Sequence, residues 1–138
     1  MSYNNLNYNY YLNRLVIWAE ERGYSVFFER DGDDSVDCES KIISIKSTNR
    51  LETQLHVLLH ECGHVLVRTN GSAFQYEEVD RSYSEKSKIN KTFVLIEEVE
   101  AWRRGYLLAK RLGIDIDDKK WNRSVASAIW KYADWTSS

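Results

Sequence analysis

Apolar residues recur along this chain first at helical, then at strand, then again at helical spacing. From about Leu6 the positions Leu12, Leu15, Val16 and Ala19 share one helical face with Trp18 beside it, and Arg22-Gly23 supplies the stop. Residues 2–11 are rich in Asn and Tyr and read as a frayed start, because Asn favours caps and turns. Residues 24–29 and 41–46 have strand composition, residues 35–39 are a shorter candidate, and Asp31-Gly32-Asp33-Asp34 is a turn. A long helix over 51–68 follows cap candidates Ser47-Thr48-Asn49, and Asn70-Gly71-Ser72 breaks it. Residues 72–90 are polar and predict a mobile excursion, with Lys86, Lys88 and Lys91 read as solvated. Helices are then predicted over 91–112, stopped by Gly113-Ile114-Asp115, and over 117–135. The reading is an α+β fold in one domain over 1–138: an N-terminal helix, a small three-stranded antiparallel sheet, then helices. A length of 138 residues suits one modest core.

The helix over 51–68 carries chemistry as well as apolar spacing. It contains H-E-x-x-H as His60-Glu61-Cys62-Gly63-His64, two of the chain's three histidines. Residues i and i+4 share a helical face, so both imidazoles can address one ion. Glu61 is placed to take a proton from a metal-bound water. Leu55, Leu58, Leu59, Val65 and Leu66 give the spacing of a buried helix. Gly63 costs about 1 kcal/mol against alanine in mid-helix, which calls for a closely approaching backbone, such as a sheet edge. His56 lies one turn earlier, about 12 Å along the axis from His64. The three cannot share an ion, so His56 is expected to pack or to support the site.

A catalytic zinc usually has three protein ligands, and the helix over 91–112 offers Glu97, Glu98 and Glu100. At about 100° per residue, Leu95, Val99, Trp102 and Tyr106 form one side that should be buried. Glu98 lies about 60–70° from the centre of that stripe, Glu97 almost opposite and Glu100 well off it. A carboxylate at a buried edge needs a partner. For Glu98 that partner is either the ion or an arginine or lysine at the rim, Arg103, Arg104 or Lys110.

Composition narrows the setting. A hydrophobic share of 43% permits a packed core, and a net charge of −2 gives no general pull towards nucleic acid or acidic membrane. Cys38 and Cys62 suit free thiols in a reducing compartment, with Cys62 a small packing residue. The polar start lacks a signal-peptide pattern and no stretch has transmembrane length, which predicts a cytoplasmic protein with no membrane contact. The acidic turn at 31–34 lacks the calcium-loop spacing.

The order helix, short sheet, H-E-x-x-H helix, then a helix carrying E-x-x-A resembles the ImmA/IrrE metallopeptidases. The matching residues are Leu58 to His64 and Glu98-Val99-Glu100-Ala101, and the likeness covers roughly residues 10–112. It implies a minimal zincin-like domain of the gluzincin type: His60, His64 and Glu98 on zinc, Glu61 as base, and a protein substrate, a transcriptional repressor among the possibilities. The sequence departs from the family at Trp102, where Asn or Asp is usual, and in the Arg103-Arg104-Gly105-Tyr106 that follows. With Glu100 to Gly105 it looks like short stand-alone members from phages and mobile elements. Tyr76, Tyr83 and Tyr106 are candidate oxyanion stabilisers. The alternative is a catalytically weak or inactive metal-containing protein that binds a partner through residues 72–90 or the Trp-rich C-terminus. A DNA-associated SprT-like protease is disfavoured, since its third ligand is a histidine and none follows His64.

Overall fold

A computed structural model describes residues 2–69 and 88–137, and side chains from Asn7 onward. Its elements are α1 (Ser2–Glu20), β1 (Ser25–Glu29), β2 (Ser35–Asp37), β3 (Ile42–Lys46), α2 (Leu51–Thr69), α3 (Lys88–Leu112) and α4 (Asp118–Thr136). The arrangement is α+β, as the sequence predicts. Two boundaries move: α1 is helical from Ser2, and α3 starts at Lys88, inside the expected polar excursion. The rest of that excursion lies outside the described residues. Lys91 is buried, with its ammonium donating to the Trp135 carbonyl at 3.2 Å, so it is not a solvated charge.

The sheet corrects the expected antiparallel topology. Its order is β1-β3-β2, with β1 parallel to β3 and β2 antiparallel to β3. The strands at 24–29 and 41–46 do share one sheet, as predicted. β3 takes the centre because it is the most apolar strand, with Ile43 and Ile45 fully buried. β2 has only three residues, one of them Asp37, and such a strand is tolerated at an edge.

α2 lies at the heart of the fold, against α1, β2, β3, α3 and α4. Leu55, Leu58, Leu59, Cys62 and Val65 are fully buried on it, and each large apolar side chain contributes about 1.5–3 kcal/mol of burial. α1 packs Leu12, Leu15, Trp18 and Ala19 into the same core and ends where Tyr24 N donates to Ala19 O at 3.0 Å. α4 is capped by Asp117, which accepts from Lys120 N at 3.2 Å, and is anchored by buried Trp121. The Tyr8 hydroxyl donates to Glu52 at 2.7 Å and Lys120 pairs with Glu52 at 3.3 Å, tying α1 and α4 to the first turn of α2.

The α2–α3 contact explains the mid-helix glycine. A Cβ on Gly63 would stand 2.7 Å from the Ala101 carbonyl carbon, and one on Gly105 would stand 2.5 Å from Leu59 O. The two helices meet backbone to backbone, and the neighbour of Gly63 is a helix rather than a sheet edge. This contact sets the inward face of α3, which runs Glu97, Glu98, Ala101, Trp102, Gly105, Leu108 and Ala109. The stripe expected from Leu95, Val99, Trp102 and Tyr106 is therefore rotated, and Val99 is 47% exposed. Small residues, not the large apolar ones, decide which side of α3 faces in.

Candidate metal centre

Because α2 is pinned against α3, its two motif histidines face the α3 carboxylates. His60 Nε2 lies 2.8 Å from Glu98 Oε2, and His64 Nε2 lies 2.9 Å from Glu98 Oε1. One carboxylate thus bridges both Nε2 atoms. His60, Glu61 and His64 each present a ligand atom within 4.8 Å of the others, so this group can hold a metal ion. Glu98 falls where the sequence places it, on an inward edge beside the histidines. Glu100 points away and pairs with Arg103 at 3.0 Å and Arg104 at 2.9 Å.

Glu97 does not point away. It is buried, and its Oε2 lies 2.9 Å from His64 Nδ1, while Arg68 holds it from the other side at 3.2 Å. His64 therefore has a carboxylate at each ring nitrogen, and as carboxylates only accept, both nitrogens donate. A carboxylate behind the outer nitrogen of a ligating histidine fixes the ring and its tautomer. The sequence signal for Glu97 was the Ala101–Gly105 pair, small residues four apart that mark the face seated on Gly63.

The charges follow from these contacts. Burial alone lowers the pKa of His64, but its hydrogen bonds to the Glu97 and Glu98 carboxylates outweigh it and push the imidazolium up to about 10. Burial works upward on Glu98, but His60 and His64 outweigh it and hold the carboxyl down to about 2. His60 is lowered, chiefly by burial, against the pull of Glu98. Glu98 is thus ionised and shared between a cationic His64 and a neutral His60. Glu61 is buried, and loss of water, with the Glu98 and Asp34 carboxylates acting the same way against the pull of His64, pushes its carboxyl up to about 7.

Aromatic rings complete the frame. Trp102 lies flat on His60, centroids 4.3 Å apart and planes 13° apart, and meets Trp121 edge-on at 5.1 Å. His56 is buried against Trp121 at 5.2 Å, with Nδ1 2.8 Å from Ser124 Oγ, so it packs away from the other two histidines. Cys62, between the motif histidines, is fully buried and free, as is the partly buried Cys38, and burial raises the Cys62 thiol well above its ordinary value.

The group sits at the floor of a cleft of about 1110 Å³. One wall is the β2 segment from Asp34 to Glu39, and the other is a face of α4. Tyr132 on α4 enters the cleft beside Glu98, and burial followed by that carboxylate raises its phenol well above the ordinary range. Tyr132 was not singled out in the sequence; its signal is the row Ser124, Ala128 and Tyr132, four apart on one face of α4. Of the expected tyrosines, Tyr106 donates to Asp118 at 2.9 Å outside the cleft, and Tyr76 and Tyr83 lie outside the described residues.

No protein-family model, curated protein or solved structure matches the chain. Among the described residues, no helix is long and apolar enough to cross a membrane.

Proposed function

We propose that this chain is a zinc-dependent endopeptidase acting on a protein substrate, with His60, His64 and Glu98 as the metal ligands and Glu61 as the general base. The observation that carries the reading is the convergence of both motif Nε2 atoms on one carboxylate, with Glu61 beside them under an open cleft. Two imidazoles and a carboxylate are the donor set of a catalytic zinc site with a position left for water, so the residues fit the ion. Zinc held there supplies Lewis acidity, polarising the scissile carbonyl and lowering the pKa of water towards about 7. To hold the ion, His60 and His64 would each give up the Nε2 proton, while the Nδ1 proton of His64 would stay on the ring, donated to Glu97. Glu61, buried beside the two histidines, is placed to accept a proton from water and pass it to the leaving nitrogen.

A peptide substrate is supported by the sheet. Among the described residues β2 pairs with β3 alone, and its segment lines the cleft, so its outer edge offers main-chain hydrogen bonds to an extended chain. The motif residues His60 to His64 and Glu98 to Ala101 make an ImmA/IrrE-type gluzincin the family of this proposal, and a transcriptional repressor the substrate class it implies. At Trp102 a stack on His60 stands where that family carries a polar residue.

The test compares Glu61→Gln with His64→Ala, each assayed for zinc content and for cleavage of a candidate repressor. Glu61→Gln is expected to keep zinc and lose about 10²–10⁴-fold in rate, whereas His64→Ala loses the metal. Zinc loss from both variants would make Glu61 a ligand or a structural residue and end the general-base assignment. A second reading, a metal-containing binding protein, draws on Trp130, which is 76% exposed on α4. It holds if neither change alters the protein's biological effect.

A further inference from the structure

α4 presents one face to the cleft, with Arg123, Ser127 and Lys131 in an i, i+4, i+8 row. At 1.5 Å per residue the two cations stand about 12 Å apart along the helix, a span of roughly four residues of extended peptide. Both are exposed, and among the described residues no carboxylate lies within ion-pair distance of either. The remaining cation of the cleft lining, Arg68, is engaged on Glu97. The facing wall has the opposite sign, with Asp34, Asp37 and Glu39 on the β2 segment.

From this polarity we infer that the cleft selects a peptide segment carrying acidic side chains along the side that faces α4, received by Arg123 and Lys131. The inference rests on the peptidase reading and names its substrate class. The two walls act together: the α4 cations attract a carboxylate, and the β2 carboxylates repel it from the other side. Repulsion of the wrong arrangement contributes to selectivity as much as the attraction does. Charges of this kind govern orientation and encounter more than total affinity.

The test uses zinc-loaded Glu61→Gln protein, so that binding is read without turnover, and a set of labelled twelve-residue peptides. Each peptide places a single Glu or Lys, or a pair of Glu four apart, in the same uncharged frame, and binding is followed by fluorescence anisotropy. Wild-type protein at position 61 is assayed for cleavage of the same set. Certain positions are expected to favour Glu over Lys by about 2–5-fold each, the range of exposed ion pairs, with paired Glu additive and the preference fading as salt rises. Arg123→Ala with Lys131→Ala should erase the preference, and Arg123→Glu with Lys131→Glu should invert it. Arg123→Lys with Lys131→Arg should keep it. Peptides bound or cleaved with the same charge preference in the Ala and Glu variants would overturn this inference and leave the peptidase reading standing. No binding and no cleavage of any peptide would overturn both.

Discussion

Gly63→Ala tests whether the helix contact, and not helix propensity, governs this site. On propensity alone the change should stabilise α2 by about 1 kcal/mol. The new methyl carbon, however, would stand 2.7 Å from the Ala101 carbonyl carbon, with the carbonyl oxygen nearer still. An ordinary carbon–carbon separation asks the helices to part by about 1 Å. The obstacle is backbone on a buried helix, so no side-chain rotation relieves it. Overpacking of this kind costs about 1–3 kcal/mol, which exceeds the propensity gain over most of its range. The same displacement acts on the 2.8 and 2.9 Å contacts from Glu98 to His60 and His64, because Glu98 is one turn from Ala101 on α3. Two measurements follow: urea unfolding of the metal-free protein, and zinc affinity by competition with a chromogenic chelator. Gly63→Ala should be less stable and bind zinc at least tenfold more weakly. A variant about 1 kcal/mol more stable than the parent, with unchanged zinc affinity, would refute the close-contact account.

Two further predictions concern the carboxylates. Glu97→Gln leaves His64 without its anionic partner, so zinc affinity should fall about 10–100-fold with the same stoichiometry; unchanged affinity would remove Glu97 from the site's support. In metal-free protein, the Glu61 carboxyl, raised by burial to about 7, favours the folded state below pH 4.5, and that contribution is lost as pH rises through about 7. Glu61→Gln should abolish this loss, so the stability difference between variant and parent should grow by on the order of 3 kcal/mol between pH 4 and pH 8; parallel stability curves would show that Glu61 titrates at its ordinary value.

Much of this arrangement is legible in the sequence, and the reasons differ by element. His60 and His64 are readable because their spacing matches the helical repeat and their flanks are apolar. The strands at 24–29 and 41–46 are readable from composition, but their order is not. Which strand lies between the other two depends on how Ile43 and Ile45 meet α2, and no alternation within a five-residue strand records that. Glu98 is placed correctly beside the histidines, yet the stripe used to orient α3 is rotated. Large residues dominate a count of periodicity, whereas Ala101 and Gly105, which contribute little to it, decide the face by what they allow to approach. For that reason Glu97 lies inward where periodicity points it outward. Tyr132 is not legible in the sequence because its helix joins the site through tertiary packing.

The cleft's floor and its walls come from separate stretches of chain. The floor is α2 and α3, locked by backbone contact and by histidine-to-carboxylate hydrogen bonds. The walls are a six-residue segment around β2 and one exposed face of α4. Variation in the walls therefore leaves the floor's geometry untouched, and the scaffold lends itself to reprogramming. A library randomised at Ser35, Glu39, Arg123, Ser127 and Lys131 alters what is recognised while every proposed ligand keeps its neighbours. Repeated rounds of selection on such a library would proceed along surface positions, where most substitutions shift stability by less than about 0.5 kcal/mol.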